Sequence, residues 1–266
     1  MDNRRATISD EMQMDDDSSR ETVELRPNIW RIMPPAPSGN IYVIRDTLKT
    51  VMIDSGLYQT FDYVTEELNK IGLRPADINL VINTHEHFDH IGGNPHLRKT
   101  AMIAAHRSAA TKIELQDEYV THMKENRQVG DDFSVHWWLE NRNLIWTGDY
   151  KFKILHTPGH TSGSICIYEP FEHFMFTGDT VVKGEYLTPM LESGSSGDFV
   201  NSIERLLTLK ISQLLPGHGA ESDDPETDLQ WAANAARERL EAFRESQTVG
   251  GKRRIKVQAE SQDQDT

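Results

Sequence analysis

The densest chemistry in the chain lies in one run, Thr84-His85-Glu86-His87-Phe88-Asp89-His90. Its imidazoles and the Asp89 carboxylate amount to most of a metal site. Imidazole nitrogen suits zinc, iron and similar borderline metals, and a carboxylate adds charge and geometry. The apolar run Leu80-Val81-Ile82 in front of it reads as a strand. Side chains alternate along extended chain, so His85 and His87 project to the same side at its end. A turn after them lets Asp89 and His90 face a second position. The helical metalloprotease motif H-E-x-x-H is absent, because it would need a histidine where the chain has Asp89.

Three more candidates follow downstream. His160 lies in Thr157-Pro158-Gly159-His160, after the alternating run Tyr150-Lys151-Phe152-Lys153-Ile154-Leu155. Asp179 closes Phe174-Met175-Phe176-Thr177-Gly178-Asp179, and His218 sits in Leu214-Leu215-Pro216-Gly217-His218-Gly219. Each comes at the end of a hydrophobic strand and beside Gly or Pro, which let the backbone turn sharply and leave room around a ligand.

In this order and setting, the series resembles the metallo-β-lactamase-fold hydrolases, over about residues 28 to 220. The resemblance implies an α+β fold, a four-layer αββα sandwich with the metal site at one edge between the two sheets. It implies that His85, His87 and His160 hold a first metal ion, that Asp89, His90 and His218 hold a second, and that Asp179 bridges them. The cofactors implied are two divalent ions, Zn2+ first, with Fe or Mn as alternatives. The β-lactamases of this fold lack a bridging Asp at that position, so Asp179 points to the glyoxalase II, lactonase and related branches. The diiron flavoproteins carry Glu at the second histidine position, where this chain has His87.

The chemistry expected is hydrolysis of a small ester-like bond, a thioester or a lactone, by a hydroxide shared between two ions. Asp89 is the candidate to orient that nucleophile or shuttle its proton. Tyr186, seven residues past Asp179, resembles a tyrosine that in some lactonases of the fold contacts an oxyanion or leaving group. His156 reads as core packing, or as support for a ligand; Thr84 and Ser162 are further candidates to orient ligands. His96, His106, His122, His136 and His173 match no ligand position and read as structural or surface. The alternative activities are a mononuclear-iron oxygenase resembling persulfide dioxygenases, a ribonuclease, or a β-lactamase of the same fold.

The elements that must position these residues follow from pattern. Strands are expected at 28–32, 40–44, 50–54 and 78–82, then at 101–105, 150–155, 164–168, 173–177 and 211–215. Phe61, Val64, Leu68 and Ile71 have helical spacing, and Gly72 follows as a stop. Further helices are expected at 95–99, from Arg107 onward, at 198–210 and at 226–246. Strands followed by helices in both halves imply two packed sheets with helices outside. Residues 25–247 are expected to form one domain, with a helical insertion at about 108–149 folding over the metal edge, carrying Tyr119, Met123, Phe133, Trp137 and Trp138. Residues 1–24 read as a disordered acidic arm and 248–266 as a disordered tail. The first 20 residues lack the apolar stretch of a signal peptide.

The net charge of −14 argues against binding to phosphate backbones or anionic membranes. The expected partner is therefore a small-molecule substrate, with no nucleic acid and no membrane; oligomeric state is left open, a homodimer included. One cysteine excludes an internal disulfide and fits a reducing cytoplasm. Cys166, inside Ser164-Ile165-Cys166-Ile167-Tyr168, reads as a buried strand residue.

Overall fold

Strands that are apolar at every position need two buried faces, and here both faces are covered. The computed structural model describes residues 22–128, 133–190 and 192–262. A seven-stranded sheet has the order β1(Val23–Arg26), β2(Ile29–Ile32), β3(Ile41–Arg45), β4(Thr50–Ile53), β5(Leu80–Asn83), β6(Met102–His106), β7(Trp137–Leu139). A five-stranded sheet has the order β12(Gln213–Pro216), β11(Phe174–Gly178), β10(Ile165–Glu169), β9(Lys151–His156), β8(Leu144–Trp146). The first sheet begins as an antiparallel meander and becomes parallel from β4 to β7. In the second, β11 and β12 are parallel and the rest antiparallel.

Alternation within each strand decides the layers. From β3, Tyr42 and Ile44 enter the core between the sheets, while Ile41 and Val43 face the outer cluster around Val64 and Leu68 of α1(Phe61–Lys70). From β11, Phe174 and Phe176 point inward and Met175 outward, toward α6(Ser196–Leu206) and the start of α7(Pro225–Gln262). The result is the four-layer αββα sandwich. Between β5 and β6 lie α2(Phe88–Ile91) and α3(Asn94–Leu97).

Three expectations need correction. The stretch 108–149 is not uniformly helical. It holds α4(Arg107–Leu115) and α5(Glu118–Thr121), then gives one edge strand to each sheet, β7 and β8; residues 129–132 lie outside the described residues. Strands of three residues have no period to read, and pairing with β6 and β9 decides their state. The arm expected over 1–24 yields at its end to β1, which begins at Val23 and pairs with β2; residues 1–21 lie outside the described residues. At the other terminus, α7 continues to Gln262, so the backbone is helical where a disordered tail from 248 was expected; residues 263–266 are outside the described residues.

Candidate metal centre

The parallel strands set where the site lies. β4, β5, β11 and β12 all end on the same edge of the sandwich, and the loops leaving their carboxyl ends, joined by the β9–β10 loop, carry every candidate ligand. Short backbone bonds stitch these loops together. Ile165 N donates to Thr84 O at 2.9 Å, Gly217 N to Gly178 O at 2.8 Å, Ser55 N to His90 O at 2.8 Å and Gly39 N to Asp89 O at 3.0 Å.

After β5 the chain bends through Thr84, His85 and Glu86, is extended at His87 (φ −75°, ψ 150°) and then makes the single turn of α2. That turn swings Asp89 and His90 away from His85 and His87. Two adjacent groups result, His85/His87/His160 and Asp89/His90/His218, while Asp179 joins His85 and His90 in a third; within each group the ligand atoms lie within 4.8 Å of one another. Asp179 lies between the two sets: its Oδ1 is 3.4 Å from His90 Nε2, and its Oδ2 is 3.5 Å from His160 Nε2 and 3.6 Å from His218 Nε2. The structure thus brings together all seven residues singled out as ligands. Tyr186 lies on the loop after β11 and is 42% exposed.

The ring nitrogens show what the cluster is built to hold. His85 Nε2 and His160 Nε2 each stand 3.0 Å from His87 Nδ1, and His90 Nε2 stands 3.2 Å from His218 Nε2. The far nitrogens of three rings are engaged elsewhere. His160 Nδ1 donates to Pro189 O at 2.6 Å, His90 Nδ1 meets Asp54 Oδ2 at 2.8 Å, and His85 Nδ1 meets Thr84 Oγ1 at 3.1 Å. A neutral imidazole with its proton on the far side presents a lone pair inward. Converging lone pairs repel unless a proton or a cation lies among them, and Asp179 Oδ1, buried here, has no hydrogen-bond partner. Five histidines and two carboxylates with this geometry fit divalent ions.

Ionisation divides the two sets. Burial, then the neighbouring imidazoles, holds His85 and His87 well below the usual histidine range, and burial also lowers His160. In His90 burial is outweighed by Asp89, Asp179 and Asp54, which push it up to about 10. His218 is raised against its burial by Asp179 and Asp89. Asp89 is buried too, yet His90 and His218 hold its carboxyl well below the ordinary range.

Several supporting residues carried no recognisable sequence signal. Asp54, with φ 58°, accepts from Thr84 N and Thr84 Oγ1, both at 2.7 Å, as well as meeting His90. Asn40 Nδ2 donates to Pro216 O at 3.0 Å and Gly219 O at 2.8 Å, bracketing His218. Gly39 must be glycine for space, because a Cβ there would lie 2.6 Å from His90 Cε1. Thr84 Oγ1 meets His85 Nδ1 at 3.1 Å. Ser162 instead accepts from Lys112 Nζ at 2.6 Å. His156 stacks on His106 with ring centroids 3.8 Å apart and meets Ser162 O at 3.0 Å, so it braces the loop carrying His160. His122 was expected to be structural or surface, yet the insertion brings its ring centroid to 6.2 Å from that of His87 and its Nε2 to 3.2 Å from Glu192.

Comparison with known proteins agrees with this geometry. The model of the metallo-beta-lactamase superfamily matches residues 34–218. The acyl-coenzyme A thioesterase MBLAC2 of Gallus gallus is 29% identical over 202 residues, which cover 67% of this chain and 72% of that protein. The hydroxyacylglutathione hydrolase of Maricaulis maris is 31% identical over 160 residues, covering 59% of this chain and 54% of the relative. Among solved structures, a metallo-beta-lactamase family protein from Thermus thermophilus superposes with a TM-score of 0.69 at 19% identity, covering 82% of each chain. No helix among the described residues is long and apolar enough to cross a membrane.

Proposed function

Because the chain belongs to the metallo-beta-lactamase superfamily, and is a hydrolytic metalloenzyme, we propose that it uses two divalent metal ions to cleave a small ester-like bond. His85, His87 and His160 would hold one ion, Asp89, His90 and His218 the other, and Asp179 would lie between them. The observation that carries this reading is the convergence of seven ligand side chains, from loops of both sheets, on one buried rim. Zn2+ suits the histidine-rich set; Fe and Mn remain compatible with it.

With ions held by these residues, the site would have a hydroxide at neutral pH and a Lewis acid for the substrate carbonyl. The chain's own residues do the rest. Asp89 Oδ2 lies 3.2 Å from His218 Nε2 and 3.6 Å from His90 Nε2, so one carboxylate oxygen would serve as ligand while the other orients the nucleophile. Thr84, Asp54 and the Pro189 carbonyl keep three imidazoles in the tautomer that faces inward.

Among ester-like bonds a thioester is favoured over a lactone, because two of the relatives are named for the hydrolysis of acyl thiols. Tyr186, half-exposed on the loop after β11, is assigned the contact with an oxyanion or leaving group, and Asp89 the orientation of the nucleophile or the shuttling of its proton. The test is metal quantification on purified protein, joined to a panel of acyl thioesters, lactones, β-lactams and RNA. The expected result is two equivalents of metal and turnover of a thioester. Asp179→Ala should lower that turnover by at least about 100-fold, the upper end of what loss of a mere supporting partner costs. Full turnover in that variant would remove the bridging role, and activity confined to RNA or β-lactams would overturn the substrate assignment.

A further inference from the structure

Between His85 and His87 of the first set lies a charge that the proposed chemistry does not use. Glu86 is fully buried, and its carboxylate meets Lys112 Nζ of the insertion helix α4 at 3.1 Å, with the lysine itself only 19% exposed. The other contacts of this pair reach all the neighbouring loops. Glu86 Oε2 accepts from Thr161 Oγ1 at 2.9 Å and Oε1 from Ser193 Oγ at 3.2 Å. Lys112 donates to Ser108 O at 2.8 Å within its own helix and to Ser162 Oγ at 2.6 Å. Ser193 Oγ in turn accepts from Ser162 N at 3.1 Å.

The placement of these contacts is selective. Glu86 separates His85 from His87, and Thr161 follows His160 directly, so the network grips the backbone on both sides of the three-histidine set. The other set is held by different groups, with Asp54 on His90 and Asn40 around His218. A buried carboxylate left without its partner is costly, and removing one member of such a pair is far more disruptive than replacing both by neutral groups. Strain from an unpaired Glu86 would fall on the two imidazoles flanking it.

We propose that Lys112 and Glu86 are positioning residues that set the geometry of the His85/His87/His160 metal position and not that of its neighbour. The inference rests on the two-ion reading above. It gives the insertion a defined role, in which α4 delivers a cation from outside the sandwich that fixes three ligands without touching any of them. Neither residue is assigned contact with metal or substrate.

The experiment is a titration of the metal-free protein with Zn2+, followed by calorimetry and by metal content after dialysis. Wild type, Lys112→Met, Glu86→Gln and the double variant Glu86→Gln/Lys112→Met are compared. His160→Ala and His218→Ala serve as references that mark which equivalent belongs to which set. The expected result is that Lys112→Met weakens by at least tenfold the equivalent lost in His160→Ala, and leaves the one lost in His218→Ala unchanged. The double variant, neutral and of similar volume, should recover most of the loss. Weakening of both equivalents alike, or of neither, overturns the proposal. Should Lys112→Met fail to fold, Glu86→Gln, which keeps shape and an acceptor oxygen, answers by the same criterion. A wild type that takes up fewer than two equivalents would instead refute the two-ion reading, so the two failures can be told apart.

Discussion

Asp54 has a single carboxylate, and it accepts from Thr84 N and Thr84 Oγ1 while meeting His90 Nδ1. One oxygen thereby fixes the backbone at the start of the ligand loop, and the other fixes the tautomer of a ligand. Asp54→Asn preserves the shape but offers an amide where Thr84 N needs an acceptor or where His90 needs a carboxylate. Loss of such a partner typically costs roughly 10–100-fold in metal affinity or activity. The expected outcome is a loss of that size in the metal equivalent held with His90, read by titration, with the fold intact by circular dichroism. An unchanged isotherm would assign Asp54 a purely structural part. The seven clustered candidates were legible in the sequence because metal chemistry restricts ligands to few residue types at the ends of apolar runs. Asp54, Asn40 and Lys112 were not, since any of them could serve as a surface group. Their roles exist only through contacts with segments distant in sequence.

At the level of elements, the central strands were legible for the same reason that they are buried. Runs such as Leu80–Asn83 and Phe174–Gly178 are apolar enough to read as strands without a partner in view. The edge strands were not. Trp137–Leu139 and Leu144–Trp146 are three residues each, and become strands because β6 and β9 offer open edges. The start of α4 shows a second kind of hidden determinant. His106 caps it, accepting from Ser108 N, and its ring stacks on His156. Burial, then His156, Arg107 and Lys112, lowers its pKa from 6.5 to about 4. The folded protein thus resists a proton that the unfolded chain takes up readily. Above 6.5 neither state is protonated and the group costs nothing; as pH falls from 6.5 through 4, stability is lost. His106→Asn keeps a good capping acceptor and removes the ionisation. Denaturant unfolding at pH 7 and at pH 4.5 should show the variant losing less stability than wild type between the two. An equal loss in both proteins would mean that the stacked pair does not govern α4.

On the scale of the whole molecule, the ligand cluster is the place where the two sheets are tied at one rim. His85, His87, Asp89 and His90 follow β5 of the first sheet; His160, Asp179 and His218 come from loops of the second. The core between the sheets is apolar and continuous, from Ile29 and Ile82 to Phe152 and Leu215, and it does not extend into that rim. Without metal the rim confines two carboxylates and five imidazoles, several of whose nitrogens face one another at 3.0–3.2 Å. Metal ions bind the folded arrangement and not the unfolded chain, so they stabilise it by mass action, by about 4 kcal/mol when free metal exceeds the dissociation constant a thousandfold. In a domain of this size each kcal/mol moves the thermal midpoint by roughly 2–4 °C. Chelation and removal of metal should therefore lower the midpoint by about 8–16 °C, and readdition of Zn2+ should restore it in proportion to the logarithm of its free concentration. His218→Ala, which removes a ligand from the second sheet, should flatten that dependence even though the residue adds nothing to the apolar core. A midpoint indifferent to metal in protein verified to be metal-free would show that the sandwich closes on its apolar core alone, and that the rim is a site carried by the fold without helping to hold it together.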